Sequence, residues 1–321
     1  MTATADRRTA ALLYAGMVFA WGFNYLAVRW GLAYASPLLL AALRAGVGAM
    51  AVAAYLALTR SAGHLRARDR RDAILIGVPT TAVFYGLWFT AAGTIPPGLA
   101  SILVYTFPLW VSLLSTSVLG LLPSGPELVA LAAGFGGVAL ATEPWRSSGL
   151  ALVPSLELLA GAFSWALGTV LFKRRFRGLE VQEANLFQLL GGCAGLGLAA
   201  LATGSLRVSS GLPLLAIVLW VGIVGTAYGY GVWYFLLDRW RASTVSTFSF
   251  MVPVTALLLS AVLLDERPDA IQLAGVALVL TAVIIASTGG IPLRGAGQRP
   301  QPPLDALLEA SAAPHASTPP P

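Results

Sequence analysis

Ten predominantly apolar stretches alternate with short polar or Gly/Pro-rich punctuation along the chain. They run over roughly 10–30, 36–58, 73–93, 98–120, 126–143, 152–172, 184–203, 212–236, 243–264 and 269–288. Each is close to the ~20 residues a helix needs to cross about 30 Å of hydrocarbon. The breaks carry turn chemistry: Ser36-Pro37, Ile95-Pro96-Pro97-Gly98, Pro123-Ser124-Gly125-Pro126 and Glu143-Pro144. Lipid offers no partner to unpaired backbone, so the pattern predicts an all-α integral membrane protein of ten transmembrane helices. Beyond position 289 Gly, Pro, Ala and Ser dominate, which predicts a disordered Pro-rich tail over 289–321.

The pattern also repeats. Tyr85-Gly86-Leu87-Trp88-Phe89 returns 145 positions later as Tyr230-Gly231-Val232-Trp233-Tyr234. At the same offset Pro108 meets Pro253 and Ser101 meets Ser246, while Phe19-Ala20-Trp21 meets Phe163-Ser164-Trp165 at an offset of 144. Five spans per half is an odd number, so the second copy enters the membrane upside down, an arrangement common in secondary transporters. The expected organisation is a short N-terminal segment (1–9) and two inverted five-helix repeats, 10–143 and 152–288, before the tail.

Charge distribution tests that topology. With the N-terminus inside, the inner segments hold fifteen Lys and Arg, among them Arg66, Arg68, Arg70, Arg71, Lys173, Arg174 and Arg175. The outer loops hold four, Arg29, Arg146, Arg207 and Arg267, and Arg44 alone falls within a span. Under the positive-inside rule both termini are expected in the cytoplasm of a bacterial inner membrane. The loop after the second span holds five arginines and its counterpart after the seventh only Arg207, so matching loops are expected on opposite sides.

Composition agrees and narrows the function. The chain is 57% hydrophobic and 11% charged, with a mean hydropathy of +0.78. Soluble domains carry about 25% charged residues, so a lipid bilayer surrounds most of this chain. The net charge of +6 lies in loops between apolar runs, which fits membrane topology rather than nucleic acid. Arg7-Arg8 before an apolar run resembles a signal start, but the long run carries Trp21 and Asn24 and is expected to be retained as a first span. Cys193 is the single cysteine, and the two histidines, His64 and His315, fall in a loop and in the tail. No metal-ligand cluster, nucleophile–base arrangement or phosphate-binding glycine loop is present. Neither catalysis nor a cofactor is expected.

What remains is a set of polar and aromatic positions inside spans. A central arginine costs about 2.5–3.5 kcal/mol on insertion scales, so Arg44 either faces a wet cavity or snorkels to the nearby interface. Its repeat counterpart is Gln188. Ser101, Tyr105, Pro108, Ser112 and Ser115 share one helix face, matched by Ser246, Phe250, Pro253, Leu257 and Ser260. The i, i+3 pairs Tyr85/Trp88 and Tyr230/Trp233 offer ring faces to an apolar or cationic solute, and Trp21/Asn24 form a similar pair. Glu157 and Glu266 are candidates for gating or proton coupling. Gly191-x-x-x-Gly195 and Gly225-x-x-x-Gly229 suit close helix packing, with a homodimer face as one use.

Taken in order, Trp21-Gly22-Phe23-Asn24-Tyr25, Leu43-Arg44, Tyr105-x-x-Pro108, Phe163-Ser164-Trp165-Ala166, Gln188-x-x-x-Gly192, Pro253 and Leu264-Asp265-Glu266-Arg267 resemble EamA-type permeases of the drug/metabolite transporter superfamily. The resemblance spans about 10–288. It implies ten helices in two inverted repeats around a central cavity, and export of amino acids, related metabolites or toxic compounds. It also implies that Asn24, Arg44, Tyr105, Pro108, Trp165, Gln188, Pro253 and Glu266 shape the cavity or its gates. One departure stands out: where the family's first repeat carries a Gly-Glu type motif after its fourth span, this chain has Ser124 and Gly125. The expected activity is secondary active export of a small amphipathic substrate by alternating access, with protons as a candidate coupling ion. A passive facilitator and a non-transporting membrane assembly protein are the alternatives.

Overall fold

The computed structural model describes residues 3–94, 100, 103–143, 145, 152–178, 180–209, 211–263 and 268–289. The tail beyond 289 and Glu266 lie outside the described residues. The elements are α1 (Ala3–Leu32), α2 (Pro37–Thr59), α3 (Ala67–Ala91), α4 (Phe107–Leu119), α5 (Gly125–Thr142), α6 (Leu152–Arg175), α7 (Glu180–Ala202), α8 (Leu212–Arg239), α9 (Ala242–Phe248), α10 (Met251–Leu263) and α11 (Ala270–Gly289). Among the described residues there is no strand, only an isolated antiparallel bridge between Ala35 and Val208. Seven segments are long and apolar enough to cross a membrane; α4, α5 and α11 are apolar but shorter.

The sequence punctuation becomes helix ends. Pro37 opens α2 in the first turn, where its missing N–H costs nothing. The Ser124 hydroxyl accepts from Glu127 N while Glu127 Oε2 accepts from Ser124 N at 2.8 Å, a reciprocal cap at the start of α5. Its repeat counterpart opens α11, where Asp269 N donates to Gln272 Oε1 at 3.0 Å and Asp269 Oδ1 accepts from Gln272 N at 3.0 Å. Gly120, with φ of 65°, closes α4 in the left-handed region that glycine occupies without strain.

Two spans expected as continuous helices are interrupted. A turn at Tyr105–Thr106 precedes α4, and one at Ser249–Phe250 separates α9 from α10. Pro108 and Pro253 each follow closely, and a proline disrupts the turn before it by clashing with the carbonyl four residues back. In α3 and α8 the ladder widens instead, to π-helix over Val78–Val83 and Trp220–Tyr228. Those two segments overlap at the 145-residue offset.

Burial is inverted relative to a protein in water. Leu58, Leu212 and Val262 are 85%, 78% and 80% exposed, while Arg44, Gln188, Thr226, Glu127 and Glu183 are buried. An apolar exterior over polar interior positions is what a hydrocarbon solvent selects. Packing inside uses glycine for close backbone approach. A Cβ on Gly191 or Gly77 would fall on the backbone of Ile74 or Gln188 respectively, so α3 and α7 touch backbone to backbone. Gly195 lies against Ala82, and Gly225 and Gly229 against Asn24 and Trp21. Both glycine pairs therefore serve contacts within the chain, not the dimer face considered from sequence.

The contacts pair equivalent elements. α2 packs on α7 and α5 on α11; α1 lies against α8 and α10, as α6 lies against α3 and α4. Cys193 meets Ala42 and Gly46, whereas Leu189 clusters with Ala49, Val52 and Leu56, so α2 and α7 run antiparallel. α5 and α11 do the same: Gly275 faces Ala141, and Gly136 faces Leu278. Individual contacts recur too. Gly48 abuts the Thr226 side chain and Gly192 that of Thr81; Gly222 faces the Arg44 carbonyl and Gly77 that of Gln188.

Gly191→Ala is expected to lower the thermal stability of the purified protein, because overpacking of this kind costs about 1–3 kcal/mol. Gly197→Ala on the same helix meets nothing within 4 Å and should leave the melting temperature unchanged or slightly raised. Equal melting of the two variants in detergent would show that the α3–α7 contact is not close.

Candidate functional site

Among the described residues the bundle holds a small cavity, about 40 Å³ in volume. α1 contributes Trp21, Asn24 and Tyr25, α2 Arg44, and α3 Phe84, Tyr85 and Trp88. Val104 and Tyr105 before α4, Trp165 of α6, Tyr230 of α8 and Val252 of α10 complete the wall. Interrupted helices supply much of it: Tyr105 sits in the turn before α4, Val252 just after the break before α10, and Phe84 and Tyr85 just past the π segment of α3.

Among the described residues Arg44 is the only charged member of the wall, and it is 2% exposed, so its guanidinium does not snorkel. Nε donates to Thr226 Oγ1 at 2.8 Å and Nη2 to the Gly225 carbonyl at 3.4 Å. The guanidinium carbon lies 4.2 Å from the Tyr85 ring centroid and 5.9 Å from that of Trp88. Nη1 has no hydrogen-bond partner, and no carboxylate pairs with Arg44 among the described residues. Gly225 O also accepts from Trp21 Nε1 at 3.0 Å. The ring face offered by Tyr85 is thus already occupied by a cation.

Below the cavity the rings close up. Trp165 stacks on Phe107 at 3.7 Å and on Phe84 at 4.9 Å, and Trp233 lies 5.7 Å from both Trp165 and Phe107. Phe172 stacks on Tyr234 at 3.8 Å, and the Tyr234 hydroxyl donates to Gln188 Oε1. Such ring pairs add roughly 0.5–1.5 kcal/mol each beyond their burial.

Beyond this plug, where α2, α4, α6 and α8 end, charged contacts join the two halves. Glu183 Oε2 accepts from the backbone N–H groups of Gly63, His64 and Leu65 at 3.0, 2.8 and 3.2 Å, and Oε1 pairs with Arg70 at 3.2 Å. Arg175 bridges Asp69 and Asp72 of α3. Glu127 Oε1 accepts from Ser243 at 2.7 Å and Thr244 at 3.3 Å and pairs with Arg241 at 3.1 Å. The Lys173 ammonium caps α8 through the Leu237, Asp238 and Trp240 carbonyls. At the opposite end the described residues form one clasp, with Arg207 donating to the Leu32 and Ala33 carbonyls and Ser36 N to Arg207 O at 2.8 Å.

Of the residues singled out in the sequence, Asn24, Arg44, Tyr85, Trp88, Tyr105, Trp165 and Tyr230 line the cavity. Trp233 and Gln188 do not: both are buried behind it, in the plug and beside Tyr234. Pro108 and Pro253 are buried within α4 and α10 and shape the breaks without lining the cavity. Glu157 sits half-buried in the second turn of α6, away from the cavity. Ser112 and Ser115 are buried on the face shared with Tyr105 and Pro108, as the spacing predicts. Sequence reasoning missed Glu127 and Glu183. Both stand in the first turn of an apolar helix, where an acid reads as a cap, and nothing local reveals the loop each one holds.

The sequence matches the EamA-like transporter family twice, over residues 8–142 and 154–288. It is 28% identical to the uncharacterized transporter YvbV of Bacillus subtilis (strain 168), over 87% of this chain and 91% of that one. It is likewise 28% identical to a probable amino-acid metabolite efflux pump of Escherichia coli (strain K12), over 84% of this chain and 91% of that one. A solved crystal structure superposes with a TM-score of 0.72 at 23% identity, covering 87% of this chain and 98% of the other, which establishes likeness of fold.

Glu183→Ala should release the loop that the carboxylate holds, since hydrogen bonds to a charged group are worth about 1.5–3 kcal/mol. Amide exchange at Gly63, His64 and Leu65 is expected to rise at least roughly tenfold in that variant. Exchange at wild-type rates would mean that the loop is held by something else.

Proposed function

The chain belongs to the EamA-like transporter family, and from that premise we propose that it is a secondary active exporter of small amphipathic metabolites, amino acids and their derivatives, working by alternating access. It is a membrane-spanning protein and not an enzyme. Ten membrane helices in two inverted repeats (10–143 and 152–288) form the transport unit, α9 and α10 together making one crossing. The twofold family match and the antiparallel packing of α2 on α7 and α5 on α11 support the inversion.

One observation carries the reading: a cavity in the bundle that, among the described residues, is closed on one side by stacked rings and charged contacts. Its wall draws on the later part of α1 and α3 and the earlier part of α2, so it lies toward the end opposite the charged contacts. The positive-inside count puts those contacts, and both termini, in the cytoplasm of a bacterial inner membrane. In this reading the ring plug and the Glu127, Glu183 and Arg175 contacts form the inner gate. Rocking of the halves about Arg44 breaks these contacts and opens the inner path. Glu157, near the outer end, and Glu266, outside the described residues, are the candidates for a proton-coupled outer gate. The printed names of relatives in Escherichia coli and in Salmonella typhimurium (strain LT2), both probable amino-acid metabolite efflux pumps, support the direction and the substrate range.

The test is to lock the gate. In a Cys193→Ser background, Glu127→Cys with Ser243→Cys places two thiols where 2.7 Å now separates the side chains. Joining them with a short thiol-specific spacer should reduce efflux from overproducing cells by at least about tenfold, a loss of roughly 1.4 kcal/mol or more in effective rate. Reduction should restore it. Efflux that continues unchanged in the joined protein would reject alternating access through this end.

A further inference from the structure

We propose that the cavity binds a small monoanion carrying an apolar or single-ring body, and that it selects against zwitterionic α-amino acids. The inference narrows the transport reading, from amino acids and other small amphipathic metabolites to the monoanionic members of that range, and rests on it for the cavity's purpose. Three observations carry it.

First, among the described residues the wall holds one formal charge, and it is positive. Arg44 is 2% exposed, and none of the residues lining the cavity is acidic. A buried arginine without a carboxylate is unusual, because the desolvated charge is normally compensated by a partner. Thr226, the Gly225 carbonyl and the Tyr85 ring hold three sides of the guanidinium but contribute no negative charge. The missing counter-charge is the ligand's to bring.

Second, the groups without partners in the wall are mainly donors. Arg44 Nη1 and Trp165 Nε1 are buried N–H groups that no described atom accepts, and both residues line the cavity. Buried polar groups are almost always satisfied, so two such donors on residues of one wall favour an anionic acceptor beside them. One cation balances one negative charge, which matches a carboxylate or sulfonate rather than a doubly charged phosphate, and the two N–H groups of Nη1 are free to receive it. The single unpartnered acceptor, Asn24 Oδ1, is neutral; it suits a hydroxyl or amide N–H on the ligand. An ammonium would lie in a cavity with no carboxylate to receive it and with Arg44 repelling it.

Third, the remaining wall is rings: Trp21, Tyr25, Phe84, Trp88 and Tyr230. The cavity is small, about 40 Å³, so the apolar body it takes is no larger than a single ring. The charge is also one-sided. At the repeat position of Arg44 the second half has Gln188, packed against Tyr234, so no second anion site mirrors the first.

The experiment is a binding titration on the purified full chain, read from the fluorescence of the tryptophans in the wall. The probes are phenylacetate, its uncharged amide phenylacetamide, and phenylalanine. Phenylacetate is expected to bind saturably and at least tenfold more tightly than either of the others. Arg44→Gln should reduce its affinity to that of phenylacetamide. Should that variant fail to fold, the three-ligand comparison on the wild type decides alone. Absence of saturable phenylacetate binding, equal affinity for the amide or for phenylalanine, or binding indifferent to Arg44→Gln would each overturn the proposal. Phenylacetate binding without passage across proteoliposomes would keep the anion site and reject transport. Transport of phenylalanine that is unaffected by Arg44→Gln would do the reverse.

Discussion

The Gly225 carbonyl is the junction on which the centre of this bundle depends. It accepts from Trp21 of α1 and from Arg44 of α2 while belonging to the π-helical stretch of α8. A wider π-turn alters the regular i→i−4 pairing and can leave a carbonyl free to bond sideways. In lipid such a carbonyl must find a donor within the protein, and here two long side chains reach it. Gly225, Gly229 and Gly48 allow the approach, since a methyl group at any of them would meet Asn24, Trp21 or Thr226. Glycine at the crossing and a π-turn in the chain together let an arginine stand inside an apolar bundle.

The same devices recur at the matching place in the other half, with weaker chemistry. α3 has its own π segment, and its Pro79 carbonyl accepts from Ser164 of α6 at 2.9 Å. Thr81 meets Gly192 as Thr226 meets Gly48. Arg44, however, becomes Gln188, and Phe89 becomes Tyr234, which fills the corresponding space and bonds the glutamine. The cation thus stands on the second helix of one half, and a neutral glutamine bonded to Tyr234 takes its place in the other. In the proposed cycle that difference gives the two access states unequal grips on a charged solute.

Closure of the charged end is similarly unequal. Glu127 does what its repeat counterpart Gln272 does, capping its own helix, and in addition holds Arg241, Ser243 and Thr244 across the interface. A carboxylate can accept from several donors at once and offset a cation; the amide of Gln272 cannot match that. The departure noted at Ser124-Gly125 thereby acquires a physical content. An acid does stand nearby, three positions into the helix, where the sequence pattern conceals it as a cap.

Several features were readable from residue order alone. Apolar spacing gave the helices, because hydrocarbon requires every backbone group to pair within its own segment. Repeated motifs announced the two halves, and a costly arginine in a span marked Arg44 before any geometry was known. Seven of the singled-out positions share one wall, since their rings and polar tips are what an apolar bundle would otherwise exclude. Tertiary structure alone decided which of those positions face the void, placing Trp233 and Gln188 behind it. It also decided that Arg44 has no counter-charge among the described residues, and that Glu183 holds a loop 118 to 120 positions away in sequence. The physical reason is that composition and periodicity report what each helix must hide from lipid, whereas the partner of a hidden group is chosen by the crossing of separate helices.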